Sequence, residues 1–242
     1  MKDNTNISAI TGRDESDAGM YAIDGVSVEV SAEHLVVRSE TELNVVATAP
    51  VGAALARVRH FLSIPAPSGL DCHDPGTPLR ARALQLGLDA HFIGFLTAVK
   101  LTGAVARGAS DGERTVLAVA TVGVSNASRP GEEVAAHAPG TINLVVIIDA
   151  DLPANALHEA LTTAAEAKAL SVYESGTLTR GGLPATGTST DAYAVACTGR
   201  GPHDRYAGAV SPVGYLVGRA VRDAVGAGLV PALERMDRDG RA

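Results

Sequence analysis

The most apolar run of the chain, residues 142–148 (INLVVII), is the feature that most limits what the chain can fold into. The run is far too short to cross a membrane as a helix, which needs roughly 20 apolar residues. A short apolar run bounded by turn residues is typical of a buried strand. Residues 115–124 form a second run of this kind. Together the two runs predict a sheet inside a globular protein.

Composition narrows the class of protein further. Hydrophobic residues make up 46% of the 242 residues and aromatic residues only 3%, so the core must be aliphatic. The net charge of −7 argues against a general nucleic-acid binder, which carries a basic face. The two cysteines, Cys72 and Cys197, form no CxxC pair and are typical of a reduced cytosolic protein.

The N terminus is polar and lacks the apolar segment of a signal peptide. The long segment 213–233 carries Arg219, Arg222 and Asp223, which indicates an amphipathic helix of a soluble protein. We therefore expect a cytoplasmic protein with no membrane and no nucleic-acid partner. The sequence leaves its oligomeric state open, and a homo-oligomer is compatible with it.

Interspersed strands and helices predict a single α+β domain over residues 25–236, after a disordered leader at 1–24 and before a tail at 237–242. The expected strands are 26–30, 34–38, 43–47, 115–124, 141–148 and 192–197. The expected helices are 78–86, 153–170 and 212–235, and Asp151 is the expected N-cap of the second. Residues 64–78 and 181–190 are expected loops.

Polar clusters at the ends of these elements are the candidate sites, because binding and catalytic groups concentrate on loops held by a scaffold. The first cluster holds Asp71, His73 and Asp74, which could bind a metal or supply a base. A solvated turn before Pro75 accounts for them better. A metal-assisted hydrolase stays open as an alternative.

Two further clusters flank the most apolar runs. Ser125 and Asn126 follow a strand and its glycine, and could donate hydrogen bonds to a developing oxyanion; an ordinary strand-ending turn explains them equally well. Gly140 and Thr141 open the 141–148 strand, where a nucleophile would be held rigidly. The high strand propensity of threonine is the other explanation for Thr141.

The fourth cluster, residues 186–191 (TGTSTD), is dense in hydroxyl and carboxyl groups that could surround a polar ligand. It lacks the lysine of a phosphate-binding P-loop. Glu166 and Lys168 lie on the preceding helix, and their spacing of two residues turns them in different directions.

The order of these segments resembles the adenosylcobinamide amidohydrolases. The resemblance covers residues 35–225 and rests on TVGVSNA at 121–127, PGTINLVVIIDADL at 139–152, AAEAKA at 164–169 and TGTSTDAYAVA at 186–196. It implies cleavage of the amide that joins the aminopropanol arm to the corrin ring, in corrinoid salvage toward coenzyme B12. The corrinoid is then the substrate, and no cofactor or metal is implied. Ser125 and Ser189 stand where such proteins usually have glycine.

Under this resemblance Thr141 is the nucleophile or positions the attacking water, and Asn126 and Asn143 contact the oxyanion or the amide. Asp191 and Glu166 handle protons. The side chains expected to bind the substrate are Ser125, Lys168, Thr186, Thr188, Thr190 and Thr97.

A second similarity is to the layout of ornithine acetyltransferases and β-aminopeptidases. It rests on the run from 141 to 152, the helix after it and residues 188–191 (the TSTD loop). That similarity implies an α/β/β/α sandwich, and an N-terminal nucleophile at Thr141 released by self-cleavage after Gly140. An acyltransferase and a non-catalytic corrinoid-binding protein are the remaining alternatives.

Overall fold

The computed structural model describes residues 22–54, 56–66, 74–133 and 140–238. Residues 1–21 of the expected leader, 239–242 of the expected tail, and Asp71 and His73 of the first cluster lie outside these ranges. The helices are α1 (Gly76–Gln85), α2 (Ala154–Glu174) and α3 (Pro212–Arg238). The strands are β1 (Val26–Val30), β2 (Leu35–Ala47), β3 (Arg57–Pro65), β4 (Ile93–Thr97), β5 (Val105–Ser110), β6 (Thr115–Val122), β7 (Ala127–Ser128), β8 (Ile142–Asp149), β9 (Gly187–Thr188) and β10 (Ala192–Cys197).

Eight of these strands form one mixed sheet in the order β4-β3-β2-β10-β8-β6-β5, with β1 paired to the first five residues of β2. Strands β8 and β10 run parallel, and the chain between them includes α2. A crossover of this kind is what two parallel neighbours require. The small pair β7–β9 forms a second sheet.

Strand β8 is buried on both faces, as its continuous apolar run predicts. Its even-numbered residues, such as Leu144 and Val146, pack with α2 and α3. Its odd-numbered residues, Val145 and Ile147, pack in a second cluster that includes Phe61 of β3. This cluster contains residues of both β3 and β8, which lie in different halves of the sheet. The two halves therefore face each other across it.

A third apolar cluster covers the outside of the β3–β4 half. Leu79 and Ala83 of α1 pack there against Leu62 and Ile64 of β3. The layers therefore stack as helix, sheet, sheet and helix, with both sheet layers belonging to one continuous sheet. The α+β expectation is confirmed. Within the described residues, no helix is both long enough and apolar enough to cross a membrane.

Two local predictions are wrong. The expected strands at 34–38 and 43–47 are one strand, β2, with a register shift between Arg38 and Leu43 where its pairing with β3 is irregular. Asp151 does not cap α2: Pro153 takes the N-cap position without a side-chain hydrogen bond. The Asp151 carboxylate instead lies 2.7 Å from Nδ1 of His203.

Candidate active site

Thr141 and Asn143 lie at the start of β8 and are only 4% and 5% exposed. By strand alternation they point the same way as Val145, between the two halves of the sheet. The Thr141 hydroxyl donates to the backbone carbonyl of Thr190 at 2.8 Å and lies 3.3 Å from Oδ1 of Asn143. Nδ2 of Asn143 donates to the carbonyl of Leu96 at 2.9 Å. The amide of Asn143 thus joins the start of β8 to the end of β4.

A buried ion pair stands beside this strand start. Nζ of Lys168 on α2 lies 2.7 Å from Oδ2 of Asp191, and both side chains are 8% exposed. Lys168 also donates to the carbonyl of Thr186 at 2.9 Å. Asp191 accepts the backbone N–H of Ile142 at 3.0 Å, together with the N–H and hydroxyl of Thr188. Asp191 therefore fixes the backbone that follows Thr141, and Lys168 balances its charge.

Electrostatics keeps Lys168 charged. Burial by itself lowers the pKa of this ammonium, but the interactions with Asp191 and Tyr193 together outweigh that effect, so the pKa is raised overall. The ring of Tyr193 lies 5.7 Å from Nζ, close enough for a cation–π contact. Burial also raises the pKa of the Tyr193 hydroxyl. The pair is therefore an ammonium and a carboxylate held against a neutral phenol.

Gly187 is required by this packing. A Cβ at residue 187 would collide with both Nζ of Lys168 and Oδ2 of Asp191. Gly187 also pairs with Ser128 in the short β7–β9 sheet, which brings the 125–128 turn up to the TSTD loop. The close approach of the ion pair therefore explains why residue 187 is a glycine.

The peptide between Gly140 and Thr141 is held from two sides. The hydroxyl of Thr190 donates to the carbonyl oxygen of Gly140 at 2.9 Å. Asn126 packs against the Cα of Gly140 so closely that a Cβ there would collide with its Oδ1. Nδ2 of Asn126 donates to the hydroxyl of Ser189 at 3.0 Å. Oδ1 of Asn126 is buried and has no hydrogen-bond partner among the described residues.

Comparison with known proteins identifies the family of this chain. The family model for adenosylcobinamide amidohydrolases matches residues 20–236. The chain belongs to that family.

Two curated relatives carry the name adenosylcobinamide amidohydrolase. The protein from Methanosarcina mazei is 33% identical over 183 residues, which is 72% of this chain and 84% of the relative. The protein from Halobacterium salinarum is 41% identical over 91 residues, 38% of this chain and 36% of the relative.

Two solved structures are similar at low sequence identity. The PH0078 protein from Pyrococcus horikoshii OT3 has a TM-score of 0.47 and 12% identity, covering 91% of this chain and 89% of that one. A β-aminopeptidase from a Burkholderia species has a TM-score of 0.43 and 14% identity, covering 85% and 79%.

Within this member of the adenosylcobinamide amidohydrolase family, most of the site residues predicted from sequence lie around the start of β8. The structure brings together Thr141, Asn143, Asn126, Gly140, Asp191, Lys168, Thr188 and Thr190. Ser125 lies beside Gly140, and Thr186 contributes its backbone carbonyl to Lys168. Thr97 is buried at the end of β4, next to the Leu96 that binds Asn143.

Glu166 is not brought to this cluster. Its side chain is exposed on α2, whereas Lys168 is buried on the inner side of the same helix. In the first polar cluster, Asp74 is exposed and is hydrogen-bonded to Thr77 at the start of α1.

Sequence reasoning missed two kinds of residue in this family member. Tyr193 lies in β10 and was read only as part of a strand, although its contact with Lys168 depends on how α2 packs. Ser63 in β3 also points between the sheet halves. Thr121 of β6 does so too, although the sequence placed it only in the cluster with Ser125 and Asn126 and gave it no role. The sequence signal for Ser63 and Thr121 is their spacing of two residues from Phe61 and Val119, which are buried between the two halves of the sheet.

Proposed function

We propose that this protein hydrolyses the amide between the aminopropanol arm and the corrin ring of adenosylcobinamide, giving adenosylcobyric acid and 1-aminopropan-2-ol. The observation that carries the proposal is the buried Thr141 hydroxyl at the start of β8, which is bonded to Asn143 and Thr190 in a chain of the adenosylcobinamide amidohydrolase family. Asp191 holds the backbone N–H of the next residue, Ile142. The corrinoid is the substrate, and the absence of a cofactor remains a prediction.

Amide cleavage needs a nucleophile, a site for the oxyanion and a proton for the leaving amine. In the proposed reaction Oγ1 of Thr141 adds to the amide carbon. The carbon–nitrogen bond then breaks, and the leaving amine takes a proton. Water cleaves the resulting ester, which returns the threonine hydroxyl and releases the carboxylic acid. Both steps use only the substrate and water.

The buried ion pair of Lys168 and Asp191 contributes to this chemistry by holding the start of β8 in place. Asp191 already accepts hydrogen bonds from Lys168, Ile142 and Thr188, so its carboxylate is held in place beside the nucleophile. We assign it the role of fixing the backbone after Thr141. The proton of the Thr141 hydroxyl needs another acceptor. Cleavage after Gly140 would supply one, because it frees the α-amine of Thr141 beside its own hydroxyl.

The polar rim of the site is suited to an amide-rich ligand. Ser189 and Thr190 are exposed at the tip of the TSTD loop, whereas Thr188 is buried beneath them and bound to Asp191. We assign the exposed pair, rather than Thr188, to contacts with the corrinoid periphery. The cytoplasmic location stays a prediction.

The proposal is tested by incubating the purified protein with adenosylcobinamide, with and without a chelator, and identifying products by mass spectrometry. We expect adenosylcobyric acid and 1-aminopropan-2-ol at the same rate in both samples. Activity that is lost with the chelator and restored by a divalent ion would favour the metal-assisted alternative. Corrinoid that binds but returns unchanged would identify a binding protein.

A further inference from the structure

A small cavity lies between the two halves of the sheet, next to the candidate active site. Its polar lining comes from Ser63 of β3, Thr121 of β6 and Asn143 of β8. The remaining lining is apolar and includes Phe61, Phe95 and Val119. The core between the two halves of the sheet is therefore apolar around Phe61, Phe95 and Val119, and it becomes polar toward Thr141.

Two hydroxyl groups in this cavity lack partners. Ser63 is 4% exposed and Thr121 is 2% exposed, and neither side-chain oxygen has a hydrogen-bond partner among the described residues. Burying a hydroxyl without a hydrogen bond is unfavourable, so such groups normally face a bound molecule or each other. Both of these line the same cavity.

The size and lining of the cavity define what it accepts. Its volume is about 10 Å³, the lower limit of the room that one water molecule needs. No charged side chain is among the residues that line it. The matching group is therefore small and neutral, and it can donate or accept a hydrogen bond, because each lining hydroxyl can do either.

The cavity lies at a short distance from the proposed nucleophile. Thr121 stands directly opposite Asn143 in the β6–β8 register. Asn143 follows Thr141 by two residues, roughly 7 Å along an extended strand. In the aminopropanol arm, the hydroxyl is carried by the second carbon from the scissile nitrogen. An amide carbon placed at Thr141 thus leaves that hydroxyl within reach of the cavity.

We propose that Ser63 and Thr121 form a subsite for one neutral hydroxyl group, which in the substrate is the hydroxyl of the aminopropanol leaving group. This inference rests on the proposed function, since it assigns a specificity pocket to the same reaction. When no substrate is bound, a water molecule satisfies the same two hydroxyls. The subsite selects an amino-alcohol arm over a plain alkylamine arm.

The test compares two substrates that differ only in this hydroxyl: the adenosylcobyric acid amides of 1-aminopropan-2-ol and of propylamine. For the wild-type protein we expect kcat/KM to be about tenfold lower on the propylamide, the effect of one lost hydrogen bond. The nearly isosteric Thr121→Val variant should cleave both amides at rates within about twofold of each other. Thr121→Ser keeps the hydroxyl and should keep the wild-type preference.

Ser63→Ala provides a second variant, expected to reduce the preference in the same direction, and urea unfolding checks that each variant is folded. A hydroxyl preference that is the same in wild type and Thr121→Val would overturn the subsite and leave only a buried water in the cavity.

Equilibrium binding of the two amides separates this inference from the proposed function. If neither amide is cleaved, a hydroxyl-dependent affinity that disappears in Thr121→Val still supports the subsite, and equal affinities contradict it.

Discussion

At the scale of single residues, the candidate site depends on the buried pair of Lys168 and Asp191. Removing one partner leaves a buried charge without compensation, which typically costs 3–5 kcal/mol. We expect Lys168→Met to lower the free energy of unfolding by about 3 kcal/mol or more, as measured by urea denaturation. The variant should also lose activity, because Asp191 no longer holds the start of β8 in place.

The matched control is the ion pair of Arg222 and Glu174, whose atoms lie 2.6 Å apart with side chains 47% and 50% exposed. A surface pair contributes little, so Arg222→Met should change the free energy of unfolding by less than about 1 kcal/mol. Equal losses in the two variants would contradict the special role given to Lys168.

Sequence patterns found most of these residues but not their partners. Thr141, Asn126 and Asp191 stand out locally, since each lies beside a glycine-containing turn or at the mouth of an apolar strand. The pairing of Lys168 with Asp191 depends on how α2 packs against β10, and side-chain spacing within one helix does not contain that information. Ser63 lies at the edge of the proline- and glycine-rich segment that predicts a loop from residue 64, and this segment hides the short alternation of Ser63 with Phe61 in β3.

At the scale of elements, helix α3 lies unusually close to the sheet at Gly228. A Cβ at this residue would press into the side chain of Val122 on β6. We expect Gly228→Ala to destabilise the protein by about 1–3 kcal/mol through overpacking, in spite of the better helix propensity of alanine. Urea denaturation measures this change.

Gly226 lies on the same helix and offers the control, because a Cβ there meets no atom within 4 Å. Gly226→Ala should be neutral or should stabilise the protein by up to about 1 kcal/mol. If both alanine variants destabilise the protein to the same extent, the close approach of α3 to β6 is not the cause.

The long elements were predictable because their apolar pattern is continuous, and β10 was predicted with its observed bounds. Strand β2 was divided in two because residues 40–42 are exposed and polar, although its backbone continues through them. Strand β4 was missed because it is short and contains Gly94. A Cβ at residue 94 would lie 3.0 Å from the side chains of Leu79 and Phe92. Its place in the sheet is decided by β3, a neighbour distant along the chain.

At the scale of the whole molecule, the open question is whether the working protein is one polypeptide or two. Cleavage before Thr141 would supply the base that the proposed reaction needs, because it frees the α-amine of Thr141. The Thr190 hydroxyl donates to the carbonyl oxygen of Gly140. That carbonyl belongs to the peptide bond between Gly140 and Thr141, which such cleavage would break. We expect intact-mass spectrometry to show two polypeptides, one ending at Gly140 and one beginning at Thr141.

Thr190→Val removes the donor to that carbonyl and should slow the cleavage, leaving more full-length chain in a freshly purified sample. A single full-length species in the wild-type protein would contradict self-cleavage. The α-amine of Thr141 would then be unavailable as a base, and direct attack by water would become the favoured route.

The central claim is that Thr141 carries the hydrolysis, and the rate of adenosylcobinamide turnover by Thr141→Ala tests it most directly. Corrinoid binding, followed in parallel by absorbance titration, shows whether the pocket is intact. We predict that Thr141→Ala binds adenosylcobinamide with near wild-type affinity and produces no measurable adenosylcobyric acid, while Thr141→Ser retains turnover. A Thr141→Ala protein with near wild-type kcat would contradict the account.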